Sequence, residues 1–288
     1  MVMRVLVTGG LGFVGSNLVK MLVDSGKDVT VIDNLCSDSS SRDYMLDGVE
    51  YWIDDIRNLD RARYVGRKFD VIYHLAAHAR IQLSFKHPLD YLDNDIMGTA
   101  HVCDYANRIG ARVVYAGSSS AYGGIMLNPY AYAKYTGEQV CEMYSKVFDL
   151  STVTARFFNV YGDRQPRVGP YATVIGIFER QTLDSDPLTV TGNGEQRRDF
   201  THVSDIARGL MALSEGTWSG QIFNLGTATN HSINQLADLF GGEKKYIAAR
   251  PGEAWESLAD ISETTEACGW TPQQTLENYV ANWLKINS

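Results

Sequence analysis

Short apolar runs alternate with amphipathic stretches through the first half of the chain. Arg4–Thr8 is a β-branched run that stops at glycines, which is typical of a strand buried in a parallel sheet. Apolar residues then recur at helical spacing within Gly15–Ser25. The same reasoning predicts strands at Asp28–Ile32, Val49–Ile53, Val71–Leu75 and Val113–Tyr115, and helices at Leu92–Arg108 and Tyr132–Phe148. This alternation predicts an α/β fold with a doubly wound parallel sheet and helices on both faces.

The pattern loosens after Gly162, where glycine and proline become frequent and the predicted elements become shorter. Helices are predicted at Ser204–Leu213 and Ile233–Phe240. We therefore divide the chain into a domain of residues 1–162 and a smaller lobe of residues 163–288. Some of the later chain is expected to return to the main sheet.

Composition narrows the function classes. The 288 residues are 44% hydrophobic and 21% charged, as in an ordinary globular protein, and the net charge of −8 disfavours nucleic acid as a partner. The four cysteines form no CxxC pair, so neither a metal site nor a disulfide framework is indicated. The start lacks the apolar core of a signal peptide, and no apolar run has the length of a membrane span. These features favour a cytoplasmic protein with reduced thiols, away from membranes.

The segment TGGLGFVG places Gly9, Gly12 and Gly15 between the first strand and the first helix. Glycines there let the backbone approach a pyrophosphate, which the amides of the helix N-terminus can bind. Asp33 ends the second strand, where a carboxylate can hold both ribose hydroxyls and repel a 2′-phosphate. This context predicts a Rossmann-type dinucleotide site that prefers NAD to NADP. The alternative for Asp33 is a simple strand cap.

Tyr130 and Lys134 are four residues apart at the start of a predicted helix, so they share one face. An ammonium group beside a phenol favours the phenolate, which makes Tyr130 a candidate acid and base at a carbinol. Ser118, Ser119 and Ser120 follow a predicted strand, and a serine there can share a hydrogen bond with a substrate hydroxyl. The alternatives are a surface helix pair and an ordinary turn.

Taken together, these motifs resemble the extended short-chain dehydrogenase/reductase family. The resemblance rests on TGGLGFVG, Asp33, DDI at Asp54–Ile56, HLAA at His74–Ala77, SSSAYG, YxxxK and FFNVYG. It continues through GNGEQRRDFTHVSD, NLG, RPGE and LADIS, so it covers nearly the whole chain. Within that family these motifs are similar to those of NAD-dependent nucleotide-sugar epimerases and dehydratases, and most of all to UDP-glucose 4-epimerases.

The resemblance implies roles for further residues. The cofactor would also be met by Phe13, Val14, Asn34, Asp55, Ile56, Leu75, Ala76, Ala77 and Asn94, with Asp55 and Ile56 at the adenine. The nucleotide sugar would be met by Ser118, Ser119, Asn159, Arg198, Arg250 and Ser257, with both arginines at the diphosphate. The alternative for each arginine is an ordinary surface charge.

The serine stretch lacks acidic residues that some related enzymes carry, and this helps to choose among the reactions of the family. Related 4,6-dehydratases carry an acidic pair in the serine stretch, and decarboxylating relatives carry a glutamate two residues before the tyrosine of the YG motif. This chain has Ser118, Ser119 and Ser120 before Tyr122. With dehydration and decarboxylation disfavoured, the remaining reaction is reversible hydride transfer at carbon 4 of the sugar. The resemblance therefore implies a 4-epimerase. The alternatives are a nucleotide-sugar 4-ketoreductase or oxidoreductase, a decarboxylase and a non-catalytic NAD-sensing regulator. The last predicts loss of the Ser–Tyr–Lys set, which is present.

Two local features bear on the substrate. Ser257 occupies a position where such epimerases have a bulky tyrosine or a small residue, and a small side chain leaves room for a 2-acetamido group. UDP-N-acetylglucosamine is therefore expected beside UDP-glucose. The loop Gly123–Pro129 is shorter than in relatives, so the sugar pocket is either more open or covered by another segment. Family members commonly dimerise through two long helices, here Leu92–Arg108 and Val140–Phe148, which predicts a homodimer.

Overall fold

A computed structural model describes residues 2–37 and 39–287. Its strands are β1 (Arg4–Thr8), β2 (Asp28–Asp33), β3 (Glu50–Ile53), β4 (Val71–His74), β5 (Arg112–Ser118), β6 (Thr152–Phe157), β7 (Val160–Tyr161), β8 (Leu188–Thr191), β9 (Arg197–Asp199), β10 (Thr201–His202), β11 (Ser219–Leu225), β12 (Asn230–Ser232) and β13 (Lys244–Ile247).

The α-helices are α1 (Phe13–Asp24), α2 (Ile81–Lys86), α3 (Pro88–Tyr91), α4 (Gly98–Ile109), α5 (Ser120–Gly123), α6 (Pro129–Phe148), α7 (Val174–Leu183), α8 (Val203–Ser214), α9 (Ile233–Phe240), α10 (Ser262–Cys268) and α11 (Leu276–Asn287). None of the helices formed by the described residues has the length and apolar content that crossing a bilayer requires.

Seven parallel strands form the central sheet in the order β11-β6-β5-β4-β1-β2-β3. The chain runs outward from β1 to β3 and then crosses back to β4 on the other side of β1. The strand order therefore reverses between β1 and β4, and ligands of doubly wound sheets bind at such a point, beyond the carboxyl ends of the strands. This topology confirms the predicted Rossmann-type fold.

Each face of the sheet is covered by its own set of helices. Val5 and Val7 of β1 point to the side packed by α1 and α8, whereas Leu6 points to the side packed by α4 and α6. This alternation follows from the two-residue period of a strand. All three side chains are fully buried, which explains the continuous apolar pattern of β1.

The apolar pattern did not identify β6 and β11, which extend the sheet beyond β5. Both contain polar residues that the fold satisfies internally. Thr152 of β6, for example, is fully buried and donates a hydrogen bond to the carbonyl of Cys141 at 3.0 Å. β11 lies far along the chain, so later chain does return to the main sheet.

The predicted helix Leu92–Arg108 is interrupted at its start. Leu92–Met97 forms a π-helical segment between α3 and α4. π-segments are rare, and they are frequently found at functional sites. Here the segment buries both Asn94 and Asp95, and Asn94 lines a cleft.

The smaller lobe is built on α7, α9 and α11, with β8 paired to β13 and β9 paired to β12. Asp199 at the end of β9 is fully buried, and its carboxylate accepts hydrogen bonds from the amides of Thr227, Ala228 and Ala259. These bonds tie the lobe to the end of β11 and to the chain that returns beside the cleft.

Candidate active site

A cavity of about 770 Å³ lies at the carboxyl ends of the central strands and extends to the smaller lobe. Almost all of the predicted site residues line it: Gly9, Gly12, Phe13, Val14, Gly15, Asp33, Asn34, Ile56, Leu75, Ala76, Ala77, Asn94, Ser118, Ser119, Tyr130, Lys134, Asn159, Arg198, Arg250 and Ser257. The fold thus brings residues from both halves of the chain to one cleft.

The glycine turn shapes one end of this cleft. A Cβ atom on Gly15 would collide with the carbonyl oxygen of Gly9, and Gly9 itself has a φ of 70°, which favours glycine. Gly12 differs, because the closest atom to its added Cβ is 3.4 Å away, an ordinary contact. The chain itself therefore does not require glycine at position 12. Glycine at this position would leave room for a pyrophosphate to approach the amides at the start of α1.

Asp33 lies at the end of β2 with its carboxylate largely buried. The amides of Leu11 and Leu35 donate hydrogen bonds to its two oxygens at 2.9 and 2.8 Å. Burial raises the pKa of this carboxyl, and these hydrogen bonds oppose the rise. The carboxylate also lines the cleft, so a strand cap and a ribose ligand are compatible roles.

We expect the protein to discriminate strongly against NADP because its 2′-phosphate would face the Asp33 carboxylate. The Asp33→Asn variant should reduce the preference for NAD over NADP by about tenfold or more, since one negative charge is lost. Titration of both dinucleotides into each protein measures this. Asp24→Asn, at an exposed residue of α1, is the control. An unchanged preference in Asp33→Asn would contradict the ribose role.

Tyr130 and Ser118 meet where β5 and α6 face each other. Asn128 caps α6 by accepting a hydrogen bond from the amide of Ala131 at 2.7 Å, and Pro129 follows as the first helical residue. This start directs Tyr130 into the cleft, where its hydroxyl donates to Ser118 Oγ at 3.2 Å. Lys134 follows one turn later, almost fully buried, with Nζ 4.4 Å from the ring centroid of Tyr115.

Burial dominates the electrostatics of this group and disfavours the charged form of both Tyr130 and Lys134. Burial raises the pKa of Tyr130, the hydrogen bond with Ser118 lowers it, and the carboxylate of Asp95 raises it. Burial lowers the pKa of Lys134, whereas the carboxylates of Asp95 and Glu138 raise it. The guanidinium of Arg80 lowers the pKa of Tyr130, so the phenolate depends on positive charge within the cleft.

His74 supports the floor of the site as a neutral side chain. Burial lowers its pKa to about 3. Thr99 donates its hydroxyl proton to the carbonyl of Asp95, so it accepts from Nε2 of His74 at 3.0 Å. Nδ1 of His74 must then accept from Thr8 at 2.8 Å. The network connects β1, β4 and the helix that carries Asn94.

Sequence reasoning missed two charged residues, one buried next to the cleft lining and one that lines the cleft. Asp95 is almost fully buried and accepts hydrogen bonds at Oδ1 from the amide of His78 and from Asn94, each at 2.8 Å, while its Oδ2 is buried without a partner. Arg80 also lines the cavity. The only local signal for Arg80 was its position shortly after the end of β4, where loops of this fold contribute ligands.

Among the residues predicted to meet the substrate, Asn159 donates to Ser257 Oγ and to the carbonyl of Asp199, both at 3.3 Å. Arg198 lies 3.7 Å from the Glu253 carboxylate. Asn159, Arg198, Arg250 and Ser257 all line the lobe side of the cavity. The hydroxyl of Ser257 is thus already engaged in a hydrogen bond that links two segments of the cavity wall.

Asp55 is placed differently from the other predicted cofactor residues. Its carboxylate pairs with Arg57 at 2.7 Å and accepts from Asn34 at 3.0 Å, and the Arg57 hydrogen bonds lower its pKa to about 2. Asp55 does not belong to the cavity lining, whereas its neighbours Asp54 and Ile56 do.

The short loop Gly123–Pro129 is covered by a segment of the C-terminal region. Asn128 donates to the carbonyl of Gly252 at 3.0 Å, and Gln82 donates to the carbonyl of Pro251 at 2.9 Å. An added Cβ on Gly123 would collide with Ala254. The RPGE segment therefore packs against the shortened loop and forms that edge of the cleft, which is the second of the two outcomes expected from the sequence.

Together, the doubly wound sheet, the glycine turn and the Ser–Tyr–Lys group define an NAD-dependent enzyme of the short-chain dehydrogenase type. Residues 5–226 match the model of the NAD dependent epimerase/dehydratase family, and the chain belongs to this family.

Similar proteins differ in the reaction for which they are named. The chain is 32% identical to a putative UDP-glucose 4-epimerase of Methanocaldococcus jannaschii, over 99% of both chains. It is equally identical, over 95% of this chain and 69% of the other, to UDP-glucuronic acid decarboxylase 1 of Xenopus tropicalis. A solved structure of Thermus thermophilus UDP-glucose 4-epimerase with NAD matches with a TM-score of 0.88 and 26% identity, covering 99% of both chains. The family and its cofactor NAD follow from these matches, but the particular reaction does not.

Proposed function

We propose that this protein is an NAD-dependent 4-epimerase of a UDP-hexose. The observation that carries the proposal is the contact of Tyr130 with Ser118 at 3.2 Å beside Lys134, in a stretch where Ser119 and Ser120 replace the acids that elimination needs. UDP-glucose and UDP-galactose are the first substrate pair. UDP-N-acetylglucosamine and its C4 epimer are the second, because Ser257 is small.

In this mechanism Tyr130 removes the proton from the C4 hydroxyl and later returns it. Ser118 holds that hydroxyl and the phenol oxygen in one hydrogen-bonded group, and the Lys134 ammonium stabilises the phenolate. NAD, when bound, would supply the hydride acceptor and donor for a transient 4-keto sugar. Arg198 and Arg250 hold the diphosphate while the sugar rotates to present its other face.

The residues that would hold NAD form a continuous wall. Gly9, Gly12, Gly15 and Asp33 take the pyrophosphate and ribose, and Leu75, Ala76, Ala77 and Asn94 flank the path toward Tyr130. Phe13, Val14, Asn34 and Ile56 complete this wall. Asp55 acts through Asn34 and Arg57 in this proposal, because its carboxylate is paired with both.

A substrate panel without added NAD tests the proposal. The purified protein, with the NAD it retains, should interconvert UDP-glucose and UDP-galactose, as followed by proton NMR, because an epimerisation has no net redox change. A requirement for stoichiometric NADH would instead indicate a ketoreductase. Release of CO₂ or water from the sugar would indicate the decarboxylase or dehydratase chemistry of other family members.

The homodimer is also a proposal. Met97 beside α4 and Met143, Val147 and Phe148 of α6 are exposed apolar side chains on the two helical segments expected to form the interface. Light scattering at micromolar concentration should give twice the mass of the 32.0 kDa chain. A monomer mass would remove this proposal without affecting the site.

A further inference from the structure

Arg80 is a charged side chain of the cleft with no charged partner. Its side chain is only partly exposed, and burial lowers the pKa of its guanidinium. Nε is buried without a hydrogen-bond partner, and one terminal nitrogen donates to the carbonyl of Tyr171. Within residues 2–37 and 39–287, no carboxylate forms an ion pair with it, and the nearby charged side chain is another cation, Arg250.

Other largely buried arginines of this chain behave differently. Arg156 pairs with Glu138 at 2.6 Å, and Arg198 lies 3.7 Å from Glu253. A guanidinium withdrawn from water without an anion is costly, since desolvation is then not offset by an ion pair. Arg80 therefore has the properties of a group whose anion arrives with the ligand.

The position of Arg80 indicates which part of the ligand carries that anion. Its carbonyl accepts a hydrogen bond from the Tyr91 hydroxyl at 2.8 Å. The Tyr91 ring in turn lies edge-on to the Tyr130 ring, with centroids 6.4 Å apart. The guanidinium itself lines the cavity and lowers the pKa of Tyr130, so Arg80 lies beside the reacting end of the cleft.

We propose that Arg80 binds a carboxylate on the sugar, so that the preferred substrate is a UDP-hexuronate rather than a neutral hexose. This inference rests on the proposed action at carbon 4. The carboxylate of a hexuronate is attached to carbon 5, next to the reacting carbon, so its receptor must lie beside Tyr130. A planar guanidinium binds a carboxylate through two parallel hydrogen bonds. Arg198 and Arg250 remain for the diphosphate.

The test compares UDP-glucuronate with UDP-glucose in the wild-type protein and in Arg80→Gln, which removes the charge but keeps a donor for the Tyr171 carbonyl. The wild type should convert UDP-glucuronate with a kcat/KM at least about tenfold above that for UDP-glucose. Arg80→Gln should lower kcat/KM for UDP-glucuronate about 100-fold and that for UDP-glucose by a much smaller factor, about tenfold or less, because loss of the guanidinium also removes a charge that lowers the pKa of Tyr130. Arg61→Gln, at an exposed arginine, is the matched control.

Each other outcome has a distinct meaning. Equal losses on both substrates would overturn the proposal and place Arg80 at the diphosphate or in a structural role. Epimerisation of UDP-glucose without action on UDP-glucuronate would overturn it and leave the proposed function intact. Conversion of UDP-glucuronate to a UDP-pentose would refute epimerisation, while a selective effect of Arg80→Gln would still support carboxylate binding. If neither sugar reacts, calorimetry of both ligands with both proteins decides, since only a carboxylate site gives an affinity for UDP-glucuronate that depends on Arg80.

Discussion

Tyr130→Phe should lower kcat for C4 epimerisation by about 10³-fold or more, because the proton of the reacting hydroxyl then has no acceptor. The fold should be unaffected. The phenyl ring keeps its edge-on contact with Tyr91, and only the hydrogen bond to Ser118 is lost, at a cost of about 1 kcal/mol. Bound NAD, released by denaturation and measured by absorbance, should be unchanged.

The matched control is Tyr132→Phe, two residues later on α6, whose side chain is exposed. It should retain full activity. The pH profile gives a second readout, because turnover begins from the phenolate and burial raises the pKa of Tyr130. Activity of the wild type should therefore fall as the pH drops through that raised pKa, and the residual activity of Tyr130→Phe should lack this limb. A fully active Tyr130→Phe protein would refute the assigned base.

Local spacing explains why this group could be predicted from the sequence. Tyr130 and Lys134 are one helical turn apart, and Ser118 follows a run of buried apolar residues, so each side chain is placed by its own element. The glycine turn and Asp33 could be predicted for the same reason, because each directly follows or ends a single strand. The resemblance to a known family then joined these segments across the chain.

The rest of the site depends on tertiary packing. Arg80 lies in an irregular stretch between β4 and α2, and its unpaired state becomes evident only once every neighbouring side chain is placed. Asp95 is turned inward by a π-helical segment, which no apolar periodicity predicts. Similarly, Cys103 and Cys141 seemed unrelated in sequence, yet α4 and α6 bring their sulfur atoms to 3.9 Å.

Gly15 and Gly12 of the glycine turn should respond differently to replacement by alanine. Gly15→Ala should destabilise the whole domain, because its Cβ meets the Gly9 carbonyl and the Gly10 Cα with no flexible side chain to yield. We expect a loss of about 1–3 kcal/mol from this overpacking, measured by denaturant unfolding. Any change in the amount of NAD bound by Gly15→Ala would be a consequence of the distorted turn, so the free energy of unfolding is the quantity to measure.

Gly12→Ala should instead leave the free energy of unfolding nearly unchanged. Its φ of −82° suits any residue, and the added Cβ would make only ordinary contacts at 3.4 Å and beyond. The methyl group would nevertheless occupy the space through which a pyrophosphate approaches the amides of α1, so we expect NAD affinity to fall about tenfold or more. Calorimetry with NAD and a thermal melt of the same sample separate the two effects. Unaltered NAD affinity in a stable Gly12→Ala protein would contradict pyrophosphate binding at this turn, because the protein has no structural reason of its own to keep glycine there.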